Sequence, residues 1–227
     1  FNKDYEHNKI IPCSIKPLNC SIPKDINLFE IFSNMLDISD KIKGNMAFYL
    51  KLTSEEENER NKVFQAIKEF LILNKFPYDC KIICHIMFMF DLLMNKNRNE
   101  KLFKSVSQIG FGAILLTLKF NAGINCTHKR SFIYPSIFQK EPKIKSQIAI
   151  IELNSLQLLD YYLHFPSPIL YLEFFFINGI IFRTDKINND EGFKVYNSTI
   201  EILEKIIISS NTYLKYNPLY LCCCIVS

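Results

Sequence analysis

The sequence predicts an all-α protein, and three observations carry that expectation. Apolar residues recur three and four apart through most of the chain, the pattern of helices with one buried face. Alternation of apolar and polar residues, the mark of a half-buried strand, is nowhere sustained. Most telling is the stretch 102–120, which from Ile109 to Leu118 holds no charged residue. A helix apolar on every side has no solvent face and must be sheathed by other helices. Gly110, Gly112 and Ala113 suit that position. Each Gly weakens a helix by about 1 kcal/mol against Ala, a cost that makes sense where neighbours approach closely. Charge returns abruptly at Lys119.

With 227 residues the chain has room for one large domain or two small ones. At 48% hydrophobic and 22% charged it is globular in composition. A net charge of +4 is too balanced to point to nucleic acid. The N-terminal residues have no signal-peptide pattern, and the longest apolar run, 169–182, is too short to span a bilayer and holds Glu173 and Asn178. The eight Cys are irregularly spaced, with three in a row at 222–224. Cys80 and Cys84 share a helix face, but no His or further Cys completes a zinc set. The thiols therefore read as reduced, intracellular and structural, and no metal or other cofactor is expected.

Taken in order, residues 1–27 carry Pro12, Pro17 and Pro23 among polar residues and form an irregular arm. A short docking helix is expected at 28–38, from Leu28, Ile31, Phe32, Met35 and Leu36. The first long helix opens at 53–58, where Thr53 and Glu56, or Ser54 and Glu57, have capping-box spacing. It runs to about Leu73 with Val63, Phe64, Ile67 and Leu71 inward. A second spans 79–95, followed by a polar turn at 95–99 into the central helix, 102–120. A short helix at 131–139 comes next, then one over 144–163. The stripe of the latter reads Ile148, Glu152, Leu156, Leu159, Leu163, with a carboxylate inside an apolar face. PheProSerPro at 165–168 is a hinge, since Pro168 suits the first turn of a helix. Two more helices are expected at 168–182 and 194–210, split by the polar loop 185–192, and TyrAsnPro at 216–218 opens a last one.

Four stretches in this order resemble the cyclin family. CysHisIleMetPheMetPheAspLeuLeuMet (84–94) is similar to the second cyclin-box helix with its Asp, here Asp91. IleGlyPheGlyAlaIleLeuLeuThrLeuLysPhe (109–120) is similar to the third, ending in Lys-Phe. The segment 152–168 resembles the fifth helix running into the family's Pro-marked hinge, and 208–224 resembles part of a second box. The resemblance covers residues 57–227 and implies a cyclin fold, a five-helix box around a buried central helix, followed by an incomplete second box. The expected division is an N-terminal arm and docking helix at 1–52, a first box at 53–165 and a partial second box at 166–227.

Function is implied by the same resemblance. Lys119 and Glu152 match the family's Lys–Glu pair, which meets backbone groups of the kinase beside its C-helix. Residue physics agrees to this extent: a charge ending a buried helix, or lying in an apolar stripe, is costly unless paired or facing a partner. Leu116, Phe120, Tyr161 and Leu163 match apolar positions flanking that pair on the kinase-facing side, ordinary core being their other reading. Asp91 matches a structural Asp that pairs with a first-helix Arg. The expected partner is Lys62, or Arg60 if the connection holds one extra residue; a Lys could not make the two-pronged contact. The family's substrate-docking pattern is replaced by AsnLysValPheGln (61–65), so that role is not expected.

The expectation is thus a non-enzymatic regulatory subunit of a cyclin-dependent kinase, in the nucleus and/or cytoplasm, with no nucleic acid or membrane partner. The alternative is a transcription adaptor resembling transcription factor IIB, which would want a basic face. Lys96, Arg98, Lys101 and Lys104, or His128 to Arg130, offer only a modest one. None of the four His, at 7, 85, 128 and 164, lies in a catalytic or metal pattern. The missing start Met and the unfinished second box suggest a piece of a longer chain. CysIleValSer at the end fits a prenylation signal, but the cysteines there occupy small-residue helix positions in the family, the preferred reading.

Overall fold

The computed structural model describes residues 30, 33–38, 40–41, 52–73, 80–122, 142–163, 167–178, 189–209 and 216–226. The arm at 1–27 and the helix expected at 131–139 lie outside them. The described residues are helical, with no strand among them. Seven helices carry the fold: α1 (Ser54–Leu73), α2 (Cys80–Glu100), α3 (Val106–Ala122), α4 (Pro142–Leu158), α5 (Pro168–Asn178), α6 (Asn189–Ile208) and α7 (Pro218–Val226). Residues 33–38 are helical too, and the Tyr171 hydroxyl on α5 donates to the Met35 carbonyl at 2.6 Å.

Helix α1 begins as a capping box, and Thr53 is the cap. Its Oγ1 accepts from the Glu56 N–H at 3.2 Å, while Glu56 Oε2 accepts from the Thr53 N–H at 2.8 Å. Glu55, Glu56 and Glu57 lie in the first turn, where carboxylates favour the helix dipole. The inner face buries Val63, Phe64, Ile67 and Leu71 as expected, and Arg60 with them.

Helix α2 continues through Glu100, so residues 95–99 are not the expected turn. Several of their polar side chains have partners in the fold. Arg98 Nη2 donates to Glu56 Oε1 at 2.6 Å. Asn97 clamps the backbone of Phe103, accepting its N–H at 2.8 Å and donating to its carbonyl at 3.2 Å. Ser105 then caps α3, its Oγ accepting the Gln108 N–H at 3.3 Å.

Helix α3 is sheathed by α1, α2 and α4, as its apolar girth requires. Ile109, Ala113, Leu116 and Leu118 are all buried; Phe111 is half-buried, edge-on to Phe70. Both glycines mark close approaches. A Cβ on Gly110 would lie 2.8 Å from Val63 Cγ1 on α1, and one on Gly112 would collide with Ser155 Oγ on α4.

Helix α4 stops at Leu158, five residues before the expected end. The Tyr161 N–H reaches the Leu156 carbonyl at 2.8 Å and the Asp160 N–H reaches Gln157 at 3.0 Å, a Schellman cap. Asp160 and Tyr161 both take left-handed backbone, with φ of 51° and 59°. Neither is Gly, which is why the sequence carries no stop signal there.

Helix α6 starts at Asn189, so half of the expected polar loop is its first turn, with Glu191 at the positive end of the dipole. Asn217 caps α7, accepting the Leu219 N–H at 2.9 Å, and Pro218 opens the helix. Helix α2 packs on α5 and α6 as well as on α1, α3 and α4. Buried residues from Phe64 to Cys222 form one continuous core.

Candidate partner-binding site

Lys119 occupies the last turn of α3 and Glu152 lies midway along α4. The Gly112–Ser155 contact brings the two helices close enough for their side chains to meet. Lys119 Nζ donates to both carboxylate oxygens of Glu152 at 2.5 Å. The side chains keep 33% and 23% of their exposure, so the pair sits at the rim of the core. The two charges are therefore joined to each other, with one edge open to water.

The apolar residues expected around this pair divide into two groups. Phe120 is 40% exposed and Tyr161 62% exposed, and Leu163 is half-buried. Leu116 is 2% exposed and belongs to the core, so it presents nothing to a partner: here the core reading holds. Ile150 and Leu153 on α4 are exposed large aliphatics that the sequence reading missed. The signal was available. Both are apolar and lie off the stripe that begins at Ile148, so one helix face cannot bury them all.

The partner of Asp91 is Arg60, not Lys62. Arg60 Nε and Nη2 donate to the two Asp91 oxygens at 2.9 and 3.0 Å, both side chains essentially inaccessible. Lys62 points elsewhere and bonds Glu59 at 2.7 Å on the surface. A helix advances 100° per residue, so residues two apart face different ways, and only Arg60 shares the buried face with Phe64 and Ile67. Burial pushes the Asp91 carboxyl above its ordinary range, and the Arg60 charge and hydrogen bonds oppose that rise. Arg60 Nη1 also donates to the Ile207 carbonyl at 2.8 Å, placing a cation at the negative end of α6.

A second polar seam joins α2 to α5. Lys81 Nζ binds both oxygens of Glu173 at 2.7 and 3.0 Å, and His85 Nε2 lies 3.5 Å from Ser167 Oγ. Burial, with help from the Lys81 charge, lowers the His85 pKa to about 4, so the ring is neutral at neutral pH.

The cations considered for a nucleic-acid face are partly neutralised. Lys96 pairs with Asp160 at 3.1 Å and Arg98 with Glu56 at 2.6 Å; His128 to Arg130 lie outside the described residues. Among the described residues no cluster of three metal-ligating side chains occurs, and no helix is long and apolar enough to cross a membrane. Cys84 and Cys222 are buried, whereas Cys223 and Cys224 are exposed. No protein-family model, curated protein or solved structure matches this chain.

Proposed function

We propose that this chain is a cyclin-like regulatory subunit that binds and activates a cyclin-dependent protein kinase, in cell-cycle control or transcription. It would do no chemistry itself and would work in the nucleus and/or cytoplasm. The observation that carries the reading is the Lys119–Glu152 pair, held at the rim of a buried central helix with exposed Phe120 next in sequence. The helix order and the motifs at 84–94, 109–120 and 152–168 support it. The seven-helix arrangement, with α3 sheathed by three neighbours, is compatible with a cyclin box.

The mechanism is selection of a conformation. A subunit that binds only the kinase with its C-helix turned inward lowers the free energy of that state by its binding energy. The kinase's own Lys–Glu pair then forms and its activation loop moves aside. A few anchors dominate such interfaces, and Lys119, Glu152, Phe120 and Tyr161 are the ones proposed, with Leu163 beside them. The adaptor alternative gains nothing from the ion-paired Lys96 and Arg98.

The test is affinity capture from a eukaryotic lysate, wild type against a Lys119→Ala/Glu152→Ala double variant, read by mass spectrometry. A protein kinase retained by the first and lost from the second supports the proposal. Polymerase subunits or nucleic acid without a kinase overturn it in favour of the adaptor.

A further inference from the structure

Among the described residues three non-glycine positions carry positive φ: Lys101 at 53°, Asp160 at 51° and Tyr161 at 59°. Lys101 has an ordinary reason. It follows α2 directly, its N–H bonds the Asn97 carbonyl at 2.8 Å, and a left-handed residue is a usual way to leave a helix. Asp160 has one as well, because the cap on α4 needs a left-handed residue at that point. Asp tolerates this backbone better than most residues, and Lys96 holds its carboxylate at 3.1 Å.

Tyr161 is different. The cap is complete once Asp160 has turned, and a second consecutive left-handed residue is not part of it. Left-handed backbone is unfavourable for any residue with a Cβ, and for a bulky one it is an outlier that calls for a cause. Burial of the ring does not supply one, since Tyr161 is 62% exposed. Local strain of this kind persists where the surrounding structure enforces it, and it concentrates at binding and switching sites. The contact beyond the cap is visible: the Tyr162 N–H donates to the Leu159 carbonyl at 2.9 Å, and Lys96 holds the neighbouring Asp160. The segment directly continues the helix that carries Glu152.

We infer that the left-handed backbone at Tyr161 is a presentation device, holding the ring out for the kinase subunit at the expense of the fold's own stability. This rests on the function proposed above. It adds that stability and binding trade against each other at one residue.

The experiment compares Tyr161→Gly, Tyr161→Ala and Lys101→Gly with wild type, by thermal unfolding and by Kd for a purified cyclin-dependent kinase catalytic subunit. Gly accepts positive φ without strain. Tyr161→Gly is expected to raise Tm by about 2–4 °C while weakening binding at least about tenfold. Tyr161→Ala keeps the strain and loses the ring, so binding falls with no gain in Tm. Lys101→Gly relieves strain away from the site and raises Tm with Kd unchanged. A Tyr161→Gly variant that is stabilised and binds as wild type does overturns the inference alone, as does one that is destabilised. Wild type that binds no kinase overturns both this inference and the proposed function.

Discussion

Arg60 and Asp91 lock together across 31 residues of sequence, the guanidinium fork meeting both carboxylate oxygens at 2.9 and 3.0 Å with no access to water. The remaining face of the same guanidinium donates to the Ile207 carbonyl, so one side chain ties α1, α2 and the end of α6 together. A buried ion pair contributes little net stability against a well-packed apolar substitute, but removing one partner strands a charge. Arg60→Ala is therefore expected to cost about 3–5 kcal/mol, measured by urea unfolding. Arg60→Lys keeps the charge and loses the fork, so it should also destabilise. Lys62→Ala should stay within about 0.5 kcal/mol of wild type, as surface ion pairs do. A large loss at Lys62 would contradict the assignment.

The same residues show what the sequence could and could not reveal. That α3 is buried on all sides was legible, because an apolar girth admits one environment. So was a capping box near Thr53, though spacing alone left two candidates and only the hydrogen bonds chose. Arg60 or Lys62 was a matter of counting across an unseen connection. Helix ends were hidden for two physical reasons. Asn97 and Arg98 look like turn residues, yet tertiary partners satisfy them inside a helix. Asp160 and Tyr161 end α4 in a conformation normally left to Gly. Lys119 and Glu152 stand out as charges at apolar positions, but residue physics alone does not pair them: the resemblance to the cyclin family does, and the fold joins them.

Gly112 and Ser155 should be energetically coupled. A methyl at Gly112 would meet Ser155 Oγ first, while Ser155 Cβ would lie at an acceptable 3.4 Å. Gly112→Ala gains about 1 kcal/mol of helix propensity but overpacks the α3–α4 contact, for a net loss of about 1–3 kcal/mol. In a Ser155→Ala background the clash is gone, so the same substitution should be neutral or stabilising. A double-mutant cycle by chemical denaturation reads the coupling, and additive effects would refute the close approach.

His85 makes stability depend on pH. Its ordinary value of 6.5 falls to about 4 in the folded state, mainly through burial and secondly through Lys81. The unfolded chain therefore binds the proton more readily. The contribution is fully present above pH 6.5 and is lost as pH falls towards 4, by about 3 kcal/mol. Urea midpoints at pH 7, 5.5 and 4.5 should show that decline, and His85→Gln should flatten it. An unchanged slope in the variant would assign the acid sensitivity to other groups.

The Lys119–Glu152 pair should matter far more for binding than for folding. Both side chains retain a quarter to a third of their exposure, so water screens the attraction and its share of stability is about 0.5–1 kcal/mol. Neither partner is stranded in the core when the other is removed, in contrast to Asp91 without Arg60. Lys119→Ala and Glu152→Ala should each keep their helical circular dichroism and lose under about 1 kcal/mol in urea unfolding. If the pair anchors a kinase, each should weaken that complex at least about thirtyfold, the effect of a 2 kcal/mol anchor. Arg98→Ala, which breaks an ion pair of similar exposure between α2 and the start of α1, is the matched comparison. It should lose comparable stability and leave kinase affinity unchanged. Equal losses of affinity in all three variants would mean that the complex reports general loosening of the helices, and the pair would then be a structural contact like the others.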